Sequence, residues 1–150
     1  GHIRNVRYAN ISIETRYFSE AWWGAAEPIY VTSYNADSDT KYTGTINDIR
    51  FENITAKSEN GIVVSGNASL IDNLIFDHVH VNISRFSNIS HPVHDWRPKS
   101  DPSIVKALID GFFLSGVKQG LISECIVSHG SDVISLYGEC KNVTESAHIT

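Results

Sequence analysis

The chain has 150 residues, a formal net charge of −5, 41% hydrophobic and 19% charged residues, which fits one domain, 1–150, of the soluble globular class, with no linker or low-complexity tract. The acidic balance leaves no basic stripe, so nucleic acid is excluded as an expected partner. No apolar run is long enough to span a bilayer, so no membrane partner is expected either.

In chain order, the first element is the apolar alternation Gly1-His2-Ile3-Arg4-Asn5-Val6-Arg7-Tyr8-Ala9-Asn10-Ile11-Ser12-Ile13. It returns as Gly44-Thr45-Ile46-Asn47-Asp48-Ile49-Arg50-Phe51-Glu52-Asn53-Ile54-Thr55-Ala56, with eight of thirteen positions identical or differing by one aliphatic, aromatic or hydroxyl exchange. A third copy runs from Ile71 through Leu74, Phe76, Val79 and Val81, with His78 in the place of Asn10 and Asn53. A fourth runs from Val117 through Leu121, Ile122, Cys125 and Val127. Each copy is followed by a second short run: Pro28–Ser33, Gly61–Gly66, Gly111–Gly116 and Val133–Gly138. All are rich in β-branched and aromatic residues and bounded by Gly, Asn, Asp and Ser, which predicts strands between tight corners. Only residues 103–109 approach a helical period.

A strand-corner-strand unit of roughly 22 to 25 residues, recurring with insertions, predicts a β-solenoid. One coil cannot bury its inward face alone, whereas coils stacked about 4.8 Å apart pair each strand in parallel with its copies above and below. The expected fold is all-β, a right-handed parallel β-helix of about four to five coils. Asn10 and Asn53 are expected at a corner, bonding to neighbouring backbone and tolerating the left-handed conformation. Loop inserts fall at about 15–27, 35–43 and 82–107, and inserts of such length on a repeat scaffold are where function is expected. The chain begins inside a repeat, without the charged and apolar regions of a signal peptide, and neither end adjoins a recognisable cap. It therefore reads as a truncated piece of a longer solenoid.

Four stretches carry a family resemblance: Glu14-Thr15-Arg16, Trp22-Trp23-Gly24-Ala25-Ala26-Glu27-Pro28-Ile29-Tyr30-Val31-Thr32, Ser58-Glu59-Asn60-Gly61-Ile62-Val63-Val64-Ser65-Gly66 and Asp95-Trp96-Arg97-Pro98. With the repeat pattern, they resemble the C-terminal part of glycoside hydrolase family 28, the polygalacturonase-like pectinases, from Gly1 to about Val127. The resemblance implies a pectin-lyase-like right-handed solenoid, secreted, acting on a pectic, galacturonan-like polysaccharide by inverting hydrolysis of α-glycosidic bonds, with no cofactor or metal. Inversion needs a carboxylic acid and a carboxylate roughly 6.5 to 9.5 Å apart. The family draws them from an Asn-Thr-Asp stretch and an Asp-Asp pair, followed by His-Gly and Arg-Ile-Lys stretches. This chain contains no such carboxylates, so no catalytic residue is assigned and it is expected to be inactive alone. Its one similar fragment, His129-Gly130, reads as a Gly-Ser corner. The alternative is a non-catalytic β-helix that binds carbohydrate or serves as structure, since a solenoid does not fix chemistry.

Candidate sugar-contacting residues cluster in the first insert. Trp22 and Trp23 offer flat faces that either stack on sugar rings or cover the solenoid flank. Arg16 either forks onto a uronate carboxylate or is solvated. Glu27, held extended before Pro28, serves substrate or anchors the loop. Tyr34 lies close to where the resemblance implies a substrate-contacting tyrosine. In the second insert, His91, His94 and Asp95 do not reach a known metal-ligand spacing; Asp95 and Arg97 instead suit a loop-shaping pair. Of six Asn-x-Ser/Thr sequons, at Asn10, Asn53, Asn67, Asn82, Asn88 and Asn142, the insert residues Asn82 and Asn88 are the better glycan sites. Cys125 and Cys140 are either bonded across the stack or buried free thiols.

Overall fold

A computed structural model describes residues 1–18, 24–33, 44–66, 70–88, 109–130 and 132, and the backbone of 133–143 and 147–149. The described residues are all-β and contain no helix, hence none long and apolar enough to cross a membrane. Nine strands follow in order: β1 (His2–Glu14), β2 (Tyr30–Ser33), β3 (Thr45–Ser58), β4 (Ile62–Gly66), β5 (Ile71–Ile83), β6 (Phe112–Ser115), β7 (Val117–His129), β8 (Asp132–Val143) and β9 (Ala147–Ile149). They form two sheets, β1-β3-β5-β7-β8 and β2-β4-β6-β9. The chain alternates between them from β1 to β7, and every pair among those seven strands is parallel.

The register is the one the repeat predicts. Ile3 lies beside Ile46 and Ile46 beside Ile71; Tyr8, Phe51, Phe76 and Ile122 form one row, and Ile11, Ile54 and Val79 another. In the second sheet Tyr30 pairs with Val63 and Val63 with Phe113. Parallel pairing of a repeat sets each residue over its equivalent, so like side chains make ladders. Tyr8 on Phe51 and Phe51 on Phe76 are each stacked at 5.1 Å, and Phe112 meets Phe76 edge-on at 5.2 Å. Such ring contacts contribute about 0.5–1.5 kcal/mol beyond their burial.

The long strands β1, β3 and β5 each bend twice, and β7 bends once. Asn5, Asp48 and Asn73 share one left-handed position, and Asn10, Asn53, His78 and Glu124 share a second, with φ between 49° and 58°. Asn and Asp tolerate this conformation better than other side-chain-bearing residues, as the sequence predicts for Asn10 and Asn53. Their side chains, however, reach the next coil rather than the backbone: Asn53 Nδ2 donates to Asn10 Oδ1 at 3.3 Å, and Asn73 Nδ2 to Asp48 Oδ1 at 2.6 Å. Each bend resets the alternation of faces. The buried apolar residues of β3 are therefore Ile46, Ile49, Phe51, Ile54 and Ala56, spaced three, two, three and two apart. They pack against Ile62, Val64, Phe112 and Leu114 of the other sheet, and against Ile29 just before β2, in one core. The outer face of the second sheet is also covered, with Val63 and Phe113 buried against Ile109 at the return of the second insert. Coils approach so closely at Gly61 that a Cβ there would overlap the carbonyl oxygen of Gly111.

The C-terminal end departs from the predicted repeat. The run Val133–Gly138 does not continue as a second parallel strand: β8 folds back antiparallel on β7, with His129 opposite Asp132, and β9 pairs antiparallel with β6. A two-residue connection can join only antiparallel strands, because a parallel partner needs a longer crossover. Gly130, at φ 61°, makes that turn. The described stack thus has three coils carrying both strands and one further long strand, below the predicted count, and its last parallel edges are covered where no cap was expected. The second insert starts after Ile83 rather than at Asn82, because β5 continues through both. Cys125 is a buried free thiol, its proton held more tightly than usual by desolvation. Cys140 lies opposite Gly120, five residues up the ladder, which resolves the disulfide alternative in favour of the free thiol. The 35–43 insert and the helical period of residues 103–108 lie outside the described residues.

Candidate functional site

Three strands end on one rim of the first sheet, and two long inserts depart from or pass it. The ladder extends just past the strands: Thr15 N donates to Lys57 O at 3.0 Å and Ser84 N to Ser58 O at 2.8 Å. Residues 15–18, 58–61 and 84–88 are thereby brought side by side although the sequence separates them widely.

At the centre lies Ser58-Glu59-Asn60, buried although polar. Asn60 Oδ1 accepts the Gly61 N–H at 3.0 Å and the Ile109 N–H at 2.5 Å, so it ties the returning insert to the corner. Glu59 Oε2 accepts the Ser87 hydroxyl at 2.5 Å, tying the departing insert to the same corner. Arg85 closes the clamp by donating to Asp110 Oδ1 at 2.6 Å and to the Ile109 carbonyl at 3.2 Å. His129 Nε2 donates to the Asp110 carbonyl at 2.9 Å. The His129-Gly130 pair thus forms the corner that its turn residues predict.

Tyr17 sits buried beside this clamp, and its hydroxyl is pushed up to about 12 by desolvation first and then by the negative charges of Glu27 and Glu59. Arg16 projects outward with its guanidinium carbon 5.9 Å from the centre of the Phe86 ring. This cation–π contact brings together ends of both long inserts. Phe86 is 54% exposed and Phe18 81% exposed, so the rim presents Arg16 together with two solvent-exposed aromatic side chains. Aromatic faces suit the C–H faces of sugar rings, and a guanidinium suits a carboxylate.

Glu27 is half-buried and its Oε2 accepts the Ala25 N–H at 2.9 Å, while Thr15 donates to the Ala26 carbonyl at 2.7 Å. Both contacts anchor the first insert's return, which Ala26 makes at φ 60°. Trp22, Trp23 and Tyr34 lie outside the described residues, as do His91, His94, Asp95 and Arg97. Asn82 is half-buried in β5 and donates to Ser128 Oγ at 2.8 Å, whereas Asn88 is exposed. Among the described residues no group of three metal-ligating side chains occurs. Phe86, Arg85 and the carboxylate of Glu59 were not singled out in the sequence; the visible signal was the Ser-Glu-Asn-Gly stretch, whose polar residues interrupt an otherwise apolar coil.

A second feature lies at the β1 edge, where the core opens as an apolar cavity of about 470 Å3 between β1 and β2, lined by Ile3, Tyr8, Ile11, Ile13 and Ile29 among others. Comparison of the chain with protein-family models, with curated proteins and with solved structures gives no match.

Proposed function

We propose that the chain forms coils of a right-handed parallel β-helix of the polygalacturonase-like kind, secreted, and that it contributes part of the groove for a pectic polysaccharide. The sense of the coil follows from the chirality of parallel crossovers. The observation that carries the sugar reading is Arg16 over Phe86, beside exposed Phe18, on the rim where both long inserts are anchored. An acidic sugar would meet a guanidinium and aromatic faces there.

In this reading, inverting hydrolysis uses carboxylates on other coils, since it needs two that are free to protonate a leaving oxygen and to activate water. Here Glu52 is shared by Arg7 and Arg50, Asp72 is held by Lys118 and Asp110 by Arg85. These ion pairs also favour the second reading, a non-catalytic β-helix module that binds carbohydrate or serves as structure. Calorimetric titration with galacturonan oligosaccharides tests the sugar reading. Binding is expected to weaken about tenfold in Arg16→Ala or Phe86→Ala, the order of one charge-assisted or stacking contact. A folded parent chain that binds no oligosaccharide would remove it. Reducing-sugar release from polygalacturonate by the 150-residue chain is expected to be nil, and its detection would place the acid and base within these coils.

A further inference from the structure

The second bend is tied across the coils by different chemistry in the two halves of the stack. Between β1 and β3 the tie is Asn53 donating to Asn10 at 3.3 Å, two amides that carry no titratable proton. In the next two copies the same left-handed row continues as His78 and Glu124. His78 Nδ1 lies 2.8 Å from Asp77 Oδ1, and its Nε2 lies 3.3 Å from Glu124 Oε2. A neutral imidazole has one N–H and presents a lone pair on its other nitrogen, so only the imidazolium donates to both carboxylates.

This tie spans the widest break in the second-bend row. There the pairing of β1 with β3 and of β3 with β5 skips one position each, Asn10 with Asn53 and Asn53 with His78. The pairing of β5 with β7 passes from Asp77 and Ser123 directly to His80 and Ile126, and so skips two. Behind the break lies Cys125, fully buried, its thiol donating to the Phe76 carbonyl at 3.6 Å. The neighbouring charges are engaged elsewhere: Glu52, beside Asp77 in the ladder, is shared by Arg7 and Arg50, and Asp72 is held by Lys118. His80, two residues on, lies between Thr55 and Ile126.

We propose that His78 is a proton-operated latch between the bends of β5 and β7. As imidazolium it joins Asp77 of its own strand to Glu124 of the next; as neutral imidazole it keeps one N–H on Asp77 and turns a lone pair toward Glu124, which is released. Glu124 is the partner that leaves, because its contact is the longer and its side chain is 71% exposed against 33% for Asp77. Histidine side chains give up this proton around pH 6.5 in general, so the latch holds on the acid side and is lost as pH rises. With two ladder positions already skipped, the joint over Cys125 then opens more often than the Asn10–Asn53 joint.

Cys125 is the reporter. Its rate of alkylation in the folded chain, read by peptide mass spectrometry, is compared between the parent and Glu124→Gln at pH 5.5 and pH 8. The rise of thiolate with pH cancels in the ratio at each pH. Glu124→Gln is expected to label about threefold faster at pH 5.5, the order of one exposed ion pair, and at the parent's rate at pH 8. In a His78→Asn background, which restores the residue of the first two coils, Glu124→Gln is expected to change nothing at either pH. Equal rates at pH 5.5, or the same ratio at both pH values, would overturn the proposal. A second readout needs no variant at Glu124: nuclear magnetic resonance of the parent is expected to show both ring N–H protons of His78 protected from solvent exchange at pH 5.5. Fast exchange of both at that pH would overturn it equally. None of these outcomes depends on the sugar site.

Discussion

The two ends of the stack carry copies of one repeat and finish differently. At β1 the inward row is half-exposed and the aromatic ladder ends in an open ring face, whereas at β7 the parallel edge is covered by a strand that reverses through Gly130. Hydrophobic pattern is shared by both, so pattern does not decide which edge stays open. At β7 the cover follows from the connection: a two-residue turn brings β8 back at once. The β7 edge is thus covered by a short return of the chain rather than by a change in the strand itself.

The comparison breaks most sharply in the middle of the stack. Phe76 is 1% exposed between Phe51 and Phe112, and Phe76→Ala is expected to cost about 3–5 kcal/mol in denaturant unfolding. Tyr8→Ala, the same ladder position at the open end, is expected to cost well under half of that. Equal losses would mean that β1 is as enclosed as the middle coils. A smaller effect is expected for Glu59→Ala, which releases the Ser87 hydroxyl from a buried acceptor. The cost of about 1–3 kcal/mol should come with faster hydrogen exchange at residues 84–88 and 109–111, leaving the β1 amides unchanged. At the closed end, Gly130→Ala meets no neighbouring atom, so only its φ of 61° opposes the change. A loss of about 1 kcal/mol, with faster exchange in β8, is expected; an unchanged β8 would show that the turn is not what holds it.

The smallest effect is one of pH. Tyr17 keeps its proton to about 12 when folded, above the ordinary value of 10. Between those values the unfolded chain loses this proton and the folded chain does not, so stability is complete below pH 10 and declines toward pH 12. Tyr17→Phe is expected to flatten that decline in thermal unfolding measured at pH 9, 10 and 11. An unaltered slope would assign the decline to other groups.

Much of the architecture was legible from the residues. The alignment of Gly1–Ile13 with Gly44–Ala56 is the observed pairing, and the Asn10 and Asn53 bends follow from side-chain chemistry alone. The reversal of β8 was not legible, because Val133–Gly138 has the same alternation as the true second strands and the deciding fact is how few residues precede it. Arg16 and Glu27 could be picked out within one insert, and the structure gives Glu27 an anchoring contact. The partnership of Arg16 with Phe86 could not, since it joins two segments only through the stacking of intervening coils.

The bends carry a further consequence for how such a chain can change. Ladder partners are 43 residues apart between β1 and β3, 25 between β3 and β5, and 46 between β5 and β7, yet each pair keeps one register. Length between coils is therefore free to drift. Within a strand it is not: losing one residue between two bends would exchange inside for outside as far as the next left-handed position. The long strands behave as fixed phrases, and the inserts as the places where new words can enter without altering the grammar.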